Sequence, residues 1–359
     1  MMYLVVLNAK KNGKKPVIVA GRNAHKTFVS AAALLDFEIT WLYPRDDESY
    51  LSCNISPADF ESFLESTEEK PVALYLTSPD YLGNMLDIEG ISKVCKKYDV
   101  LLLVDNAHGA YLKFLNPSKH PSDLGADMCC DSAHKTLPCL TGGAYLHISE
   151  NADSYFKENA KEALSLFAST SPSYLILQSL DLVNKYISEE YPDILLKHVE
   201  KIEALKKELE KKGFSLYGNE PLKITIDAKK YGYTGIEIAK ILEKNNVFSE
   251  FYDNDYIVFM FTPQIDDFSN LIESLFSLEK KEEIKKGFGV IDKPKKVMSI
   301  RKAMLSEKEY ISVEKSEGRI LASSSVGCPP AVPIAVCGEV ITENTINAFN
   351  YYGVQNCFV

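Results

Sequence analysis

The chain has 359 residues, enough for about two domains, and its 46% hydrophobic and 25% charged residues are ordinary for a folded globular protein. A formal charge of −10 without a long basic run argues against a nucleic-acid partner, and no apolar run is long enough to cross a membrane. The eight cysteines form no CxxC pair and no metal-ligand pattern, so we expect reduced thiols, a cytoplasmic location and no bound metal.

The first half of the chain alternates strand-like and helical segments. Short apolar runs predict strands at "PVIVA" (16–20), "EITWLY" (38–43), "VALYL" (72–76), "VLLLVD" (100–105), "ADMCCDS" (126–132) and "GAYLHI" (143–148). Helical patterns lie between them, at 24–36, from the Ser56-Pro57 pair onward, and at 88–98. Near-continuous apolar strands joined by helices indicate a parallel sheet that is buried on both faces.

The second half indicates a smaller unit. The amphipathic stretch 192–213 predicts a long helix that ends at Gly213, and alternating strand and helix patterns follow it. The stretch 280–296 is the most linker-like, and the tail after it predicts one more helix and a proline-rich loop. We therefore predict an α/β fold, with a mainly parallel sheet sandwiched by helices and a smaller C-terminal α+β domain. The predicted parts are a major domain at 1–190, the small domain at 191–290 and a tail region at 291–359.

Two residues point to one pocket. Asp105 ends a predicted strand, and ligands of parallel α/β sheets bind at the carboxyl ends of strands. Lys135, in "DSAHKTLPCLTGG" (131–143), follows the next predicted strand. Alternatively, Asp105 caps a turn and Lys135 is an ordinary surface lysine. A lysine and a carboxylate that face one crevice suit pyridoxal phosphate, and Ser132 could bond its phosphate or only a local turn.

The segments "VDNAHGAYLKF" (104–114) and "DSAHKTLPCLTGGAYLHI" (131–148) resemble the Orn/Lys/Arg decarboxylase family, pyridoxal-phosphate enzymes of the aspartate aminotransferase fold, fold type I. Further blocks are similar to the family in the same order: "GRNAHKTFVSAAAL" (21–34), "TSPDYLGNMLDI" (77–88), "STSPSYLILQSLD" (169–181) and "PPAVPIAVCGEVIT" (329–342). The resemblance therefore covers nearly the whole chain.

The resemblance implies roles around the cofactor ring. Lys135 would form the Schiff base, and Asp105 would pair with the pyridinium nitrogen. His25 would stack on the ring, although it could instead only cap its helix. His108 would flank the ring near Asp105.

The resemblance also implies contacts with the phosphate, the substrate and a second subunit. Ser132 and His134 would lie at the phosphate and at the lysine linkage. Thr170, in the cluster 169–171, would reach the phosphate of a neighbouring subunit, which implies a homodimer or a higher homo-oligomer. Glu339 matches the acidic residue of the family's tail motif, and either a place near the substrate or a structural role fits it. The remaining histidines are expected to be structural: His120, His147 and His198.

The sequence departs from the family pattern in two places. No Gly-Ser-Thr phosphate loop precedes His25, and the chain begins at Met1 inside the helix that should follow that loop. The tail reads "GCPPAVP" (327–333), without the usual aromatic residue and glycine. We therefore expect an N-terminally shortened member. Two lost charge-assisted hydrogen bonds of about 1.5–3 kcal/mol each would weaken cofactor binding about a hundredfold or more.

The predicted activity is decarboxylation of arginine, lysine or ornithine, with the choice among them left open. Another enzyme of the same fold, an aminotransferase or a lyase, would use the same Asp105 and Lys135. A third possibility is a catalytically impaired pseudoenzyme, or a fragment that needs a partner chain.

Overall fold

The structure is a computed structural model that describes residues 1–45, 49–285, 288, 291–323 and 330–359. Within these residues a central sheet holds β1 (Val17–Gly21), β2 (Glu38–Leu42), β3 (Ala73–Thr77), β4 (Leu101–Asp105), β5 (Met128–Asp131) and β6 (Tyr145–Ile148). Its order is β2-β1-β3-β4-β5-β6, and every neighbouring pair is parallel except β5 and β6. The predicted α/β class with a mainly parallel sheet is confirmed.

Helices cover both faces of this sheet. They are α1 (Met2–Lys11), α2 (Lys26–Leu35), α3 (Pro57–Ser66), α4 (Ile88–Tyr98), the short α5 (Ala133–Thr136) and α6 (Ser154–Phe167). On one face Phe28 of α2 packs in a core with Ile18. On the other face Phe60 of α3 and Ile91 of α4 pack in a core with Leu74. The strands lie between two apolar layers, which explains why their sequences are almost continuously apolar.

Local sequence signals begin and end several helices as predicted. Ser56 caps α3 in a capping box, in which its hydroxyl accepts the backbone N–H of Asp59 and Pro57 takes the first helical turn. The helix α8 (Tyr191–Lys212) ends at Gly213, which has a φ of 100° in the left-handed region. Another helix, α7 (Tyr174–Glu189), leads into α8.

A second, antiparallel sheet follows α8. Its strands are β7 (Ser215–Tyr217), β8 (Lys223–Asp227), β9 (Phe251–Tyr252) and β10 (Tyr256–Met260), in the order β7-β8-β10-β9. The helices of this unit are α9 (Gly235–Glu243) and α10 (Ser269–Phe276). Leu205, Ile224 and Leu275 share one core, so α8, the sheet and α10 bury the same apolar surface. This is the predicted small α+β unit.

The tail, in its described residues, has two helices where the sequence predicted one. Its elements are α11 (Ile300–Met304), β11 (Tyr310–Ser312), α12 (Glu343–Tyr351) and β12 (Asn356–Phe358). Three single turns of 3-10 helix complete the fold, at Ala110–Phe114, Lys229–Tyr231 and Val313–Lys315. The described part of the predicted linker 280–296 lies outside helices and strands. Gly327 and Cys328, where the tail departs from the family pattern, lie outside the described residues.

Two general expectations concern membranes and thiols. Over the described ranges, no helix is both long and apolar enough to span a bilayer. The seven described cysteines are free thiols, as predicted. The predicted domain boundaries stay a prediction.

Candidate active site

The candidate site lies at the carboxyl edge of the central sheet. Asp105 is the last residue of β4, and Thr77 at the end of β3 is directly opposite it. Ser132 follows β5, and His25 comes soon after β1. Parallel strands bring these four positions to one edge, which is where ligands bind in such sheets.

Asp105 is buried and accepts from three donors, one of which is the Cys130 thiol, whose sulfur lies 3.9 Å from Oδ1. The Tyr75 hydroxyl donates to its Oδ2 at 2.8 Å, and the Ala107 backbone N–H donates to its Oδ1 at 3.3 Å. Tyr75 is itself buried and stacks on Phe28, with ring centroids 4.2 Å apart. Near it, the hydroxyl of Thr77 is buried without a hydrogen-bond partner. Asp105 therefore caps the following turn and also presents a fixed carboxylate to the edge.

Lys135 joins this edge to the second sheet through a histidine. Its Nζ lies 2.9 Å from Nε2 of His108, and Nδ1 of His108 lies 2.9 Å from Nζ of Lys223. Lys223 belongs to β8 and is buried. The predicted pair of Lys135 and His108 is thus in direct contact, and a lysine from the small unit supports it.

The number of available hydrogen-bond donors indicates where the protons lie in the contacts between Lys135, His108 and Lys223. Nζ of Lys223 has three acceptors around it: the Asp80 carbonyl at 3.2 Å, Glu220 Oε2 at 2.9 Å and Nδ1 of His108. An ammonium group has three N–H donors, so a charged Lys223 can bond Nδ1 of His108 and the Asp80 carbonyl while it forms an ion pair with Glu220, whose Oε2 has no hydrogen-bond partner among the described residues. Nδ1 of His108 then accepts, and its Nε2–H must donate to Lys135.

Lys135 can accept that hydrogen bond only as a neutral amine. The opposite arrangement would leave a neutral Lys223 beside the buried carboxylate of Glu220, which is unfavourable. Burial lowers the pKa of Lys135, and the charge of Lys223 lowers it further, although Asp105 and Glu250 act in the other direction. Burial also lowers the pKa of His108 well below its ordinary value. Both directions agree with a neutral His108 and a nucleophilic Lys135.

His25 is a helix cap within electrostatic range of the pair. Nδ1 of His25 accepts the backbone N–H of Thr27 at 3.2 Å and lies 2.9 Å from the Thr27 hydroxyl. His25 is therefore the N-cap of α2. Burial lowers the pKa of His25, Asp105 raises it and Lys135 lowers it. The capping alternative is thus present, and its stacking role stays a prediction.

Ser132 and His134 flank the short helix of Lys135. Ser132 precedes α5, and its side chain makes no capping hydrogen bond. Nδ1 of His134 lies 2.9 Å from the carbonyl oxygen of Gly143 and donates to it. This contact fixes the ring against the glycine turn and leaves Nε2 of His134 as the remaining proton acceptor.

Thr170 and Glu339 have different surroundings. Thr170 is exposed in the segment between α6 and α7. The Glu339 carboxylate is buried, where Oε2 accepts from Arg22 at 3.2 Å and from the Val336 backbone N–H at 2.7 Å. Arg22 also donates to two carbonyls of the tail, those of 333 and 334. Glu339 thus holds the tail to the end of β1, and a contact with substrate stays a prediction.

Sequence reasoning missed several polar contacts. His120 and His147, which were expected to be structural, each place Nε2 within 3.0 Å of Oδ2 of Asp131, a contact that no sequence pattern indicated. Lys223 and Glu250 were also missed. A lysine in the apolar strand "PLKITIDA" (221–228) was a signal, since an unpaired lysine is rarely buried.

Comparison with known families identifies the family whose members share this sheet edge. Residues 3–227 match the major domain of Orn/Lys/Arg decarboxylases, and residues 284–358 match the C-terminal domain of the same family. The chain belongs to the Orn/Lys/Arg decarboxylase family. The resemblance found in the sequence is therefore confirmed.

Individual relatives agree with the family. The uncharacterized protein YaaO of Bacillus subtilis is 30% identical over 92% of this chain and 72% of its own length. An arginine decarboxylase of the same organism is 29% identical over 92% of this chain and 71% of its length. The lysine decarboxylase A structure from Pseudomonas aeruginosa matches with a TM-score of 0.76 at 16% identity, over 98% of this chain and 63% of that one.

A second solved structure confirms the fold class. The constitutive lysine decarboxylase of E. coli matches with a TM-score of 0.71 at 18% identity, over 98% of this chain and 67% of that one. The shared fold is fold type I of pyridoxal-phosphate enzymes.

The side chains at the edge fit that cofactor. Pyridoxal phosphate requires an amine nucleophile and a carboxylate for its ring nitrogen. Lys135 is an amine whose pKa is lowered by burial, and Asp105 is an oriented carboxylate.

Proposed function

We propose that the chain is a pyridoxal-phosphate-dependent decarboxylase of a basic amino acid. The observation that carries the proposal is the series of contacts Lys135–His108–Lys223, which favours the neutral form of Lys135 within electrostatic range of the oriented carboxylate of Asp105. A neutral lysine is what a covalent attachment to the cofactor requires. Membership of the decarboxylase family supports the choice of reaction.

Each predicted residue except Glu339 has a place in this proposal. Lys135 would hold the cofactor covalently, Asp105 would keep its ring nitrogen protonated, and His25 would cover the ring. The remaining predicted contacts would be made by His108, Ser132, His134 and Thr170. When bound, pyridoxal phosphate supplies a charged ring that withdraws electrons from Cα of an amino acid.

The reaction also needs a proton at Cα after CO₂ leaves. Nζ of Lys135 can deliver it, because its hydrogen bond to Nε2 of His108 connects it to the ammonium group of Lys223. Nε2 of His134 is the alternative donor once it has taken up a proton, since Nδ1–H is engaged with the Gly143 carbonyl. The products would be CO₂ and agmatine or a diamine.

Glu250 is the acidic residue that we assign to the distal cation of the substrate. It is exposed beside β9, and its charge raises the pKa of Lys135, so it lies within electrostatic range of the nucleophile. The Tyr81 hydroxyl donates to Oε1 of Glu250 at 3.5 Å, and the Tyr81 ring packs edge-on against His108. A guanidinium or ammonium group at this position would gain a charge-assisted hydrogen bond.

We further propose that two copies associate through the region of α6 and α7. Large apolar side chains are exposed on both helices, among them Phe167 at 59% and Tyr174 at 83%. Contiguous exposed apolar surface is characteristic of protein–protein interfaces. Thr170 lies between Phe167 and Tyr174 in the chain. If a second copy packs against this surface, Thr170 of the first copy could reach the cofactor site of the second.

The first experiment measures cofactor attachment. The purified chain is mixed with pyridoxal phosphate, and its visible absorbance is recorded before and after borohydride, beside Lys135→Ala. We expect an absorbance change that borohydride fixes in the wild type and not in the variant. The matched control is Lys206→Ala. Nζ of Lys206 donates a hydrogen bond to the backbone carbonyl of Glu220.

The second experiment measures the substrate. Release of CO₂ from arginine, lysine and ornithine is followed, with arginine first because two Bacillus relatives are arginine decarboxylases. Glu250→Gln should raise KM roughly tenfold or more while Glu243→Gln, an exposed change on α9, leaves it unaltered. A folded chain that never links the cofactor would reject the enzyme and favour the impaired alternative.

A further inference from the structure

A cluster of metal-ligating side chains lies on β5 and β6, outside the residues assigned to the cofactor. Cys129 and Asp131 are two positions apart on β5, so they share a face of the sheet. His147 is the register partner of Cys129 on β6. His120 comes from the segment before β5. We call His120, Cys129, Asp131 and His147 the β5 cluster.

Three ligand atoms of the β5 cluster, from His120, Cys129 and Asp131, lie close to one another, and His147 joins them through Asp131. Nε2 of His120 lies 3.0 Å from Oδ2 of Asp131, and Nε2 of His147 lies 2.9 Å from the same oxygen. A ring nitrogen of His120, the Cys129 sulfur and an Asp131 oxygen all lie within 4.8 Å of one another. Two imidazoles, a thiol and a carboxylate are thus brought together although their sequence spacing is irregular.

We propose that the β5 cluster binds one Zn²⁺ ion. Nitrogen, sulfur and carboxylate oxygen are the donors that zinc takes, usually four in a tetrahedron. Ligand atoms about 2.0–2.1 Å from such an ion lie about 3.3 Å from one another. The observed nitrogen–oxygen distances of 2.9 and 3.0 Å are close to that spacing, so the two contacts of the histidines with Asp131 would need only a small outward movement to admit the ion.

Burial and charge favour a divalent cation here. Three of the four side chains are almost fully buried, and His147, whose side chain is 37% exposed, leaves a route for an ion. When the ion binds, the Cys129 S–H bond breaks, a Zn–S bond forms and the proton goes to water. The ion with one thiolate, one carboxylate and two neutral imidazoles has no net charge, which suits a buried site.

The surrounding groups support such a ligand set. Burial and the charge of Asp131 raise the pKa of the Cys129 thiol, and the Ser122 backbone N–H acts in the other direction, so the thiolate would form only together with the bound ion. Nδ1 of His120 accepts the Ser122 backbone N–H at 3.3 Å and lies 2.8 Å from the Ser122 hydroxyl. With a metal on Nε2, the ring proton would move to Nδ1, which would then donate to that hydroxyl. Asn106 donates to Oδ1 of Asp131 at 2.7 Å, which leaves Oδ2 for the ion.

The competing explanation is a hydrogen-bonded cluster without metal. In that case the two histidines and Asn106 satisfy Asp131, and the Cys129 thiol contributes only packing. Cys129 therefore separates the two explanations, because a metal site needs its sulfur and a hydrogen-bonded cluster does not. Cys95 is an equally buried cysteine on α4, outside the cluster, and serves as the matched control.

The test measures metal binding by the full chain. The protein is treated with a chelator, desalted, and titrated with Zn²⁺ alone, with metal content and proton release recorded. We expect one ion per chain and release of about one proton. Cys129→Ser should weaken binding roughly tenfold or more, whereas Cys95→Ser should bind as the wild type does.

Cobalt provides a readout that needs no variant. Co²⁺ in the wild-type chain should give the intense tetrahedral bands and the thiolate-to-metal charge-transfer band of a cysteine ligand. Absence of stoichiometric Zn²⁺ binding, equal binding by Cys129→Ser, or Co²⁺ spectra without a thiolate band would each overturn the proposal.

Discussion

Nζ of Lys223 lies 2.9 Å from Nδ1 of His108, on the opposite side of the ring from Lys135. A residue of the small unit thereby sets the tautomer of a histidine that contacts the proposed nucleophile. Removing the charge of Lys223 should therefore change the pKa of Lys135, although the two lysines make no direct hydrogen bond.

The first prediction concerns Lys223→Met. The charge of Lys223 lowers the pKa of Lys135, so its loss should raise that pKa. Attachment of pyridoxal phosphate to Lys135, followed by absorbance against pH, should then shift to higher pH. Lys230→Met changes an exposed lysine near β8 that pairs with Asp227, and it should leave the profile in place. An unshifted profile in folded Lys223→Met would contradict the donor count.

The second prediction concerns the support of Asp105. Tyr75→Phe removes the hydroxyl that donates to this buried carboxylate at 2.8 Å, while the ring can still stack on Phe28. Leaving a buried acceptor with one donor fewer should lower the free energy of unfolding by about 1–3 kcal/mol. Urea unfolding measures the loss.

The matched change for Tyr75 is on the surface. Tyr98→Phe removes a hydroxyl that donates to Glu65 at 3.2 Å in an exposed position. Water replaces that partner, so its effect should stay within about 0.5 kcal/mol. Equal losses in the two variants would mean that the buried contact has no special value.

The residues that the sequence predicted and those that it missed differ in how they reach the site. Asp105 and Lys135 could be predicted because each lies at or just after the end of an apolar strand, and parallel strands end at a common edge. Lys223 arrives from β8, and its place depends on how the second sheet packs against the first. No local pattern records that packing.

The same reasoning explains the β5 cluster. His120 and His147 lie on either side of Asp131 in the chain, at distances that fit no known ligand motif. Only the antiparallel register of β5 and β6 places His147 opposite Cys129 and near Asp131. Strand pairing is a tertiary property, so the sequence pattern indicated neither contact.

The third prediction separates two roles of Glu339. Arg22→Met should leave the Glu339 carboxylate buried without its cationic partner. We expect this to lower the free energy of unfolding by about 3–5 kcal/mol. Lys15→Met, which breaks an exposed pair with Glu38, should have a much smaller effect, because water and salt screen that pair. Urea unfolding compares the two variants.

Glu339→Gln completes this comparison. A structural role predicts lower stability with an unchanged KM for the amino-acid substrate. The role that the family resemblance implies predicts a higher KM with little change in stability. We expect the structural result, because Arg22 and the Val336 N–H already occupy the carboxylate.

The fourth prediction concerns the pH dependence of stability at Asp253. Burial raises the pKa of this carboxyl from 3.8 to about 6, although the backbone N–H groups of Asp255 and Tyr256 donate to it. Between these two pH values the folded chain binds more protons than the unfolded chain. The free energy of unfolding must therefore fall as pH rises through this range, by up to about 3 kcal/mol from this group.

Asp253→Asn should remove the fall in the free energy of unfolding that this carboxyl causes as pH rises. The amide oxygen can still accept both backbone hydrogen bonds, and no charge is buried at high pH. We expect urea unfolding to show a more stable variant at about pH 8 and little difference at about pH 4. Asp267→Asn is the control with the opposite sign, because hydrogen bonds from Ser269 lower the pKa of that exposed carboxyl. A gain for Asp253→Asn that is the same at both pH values would show that packing, rather than charge, causes it.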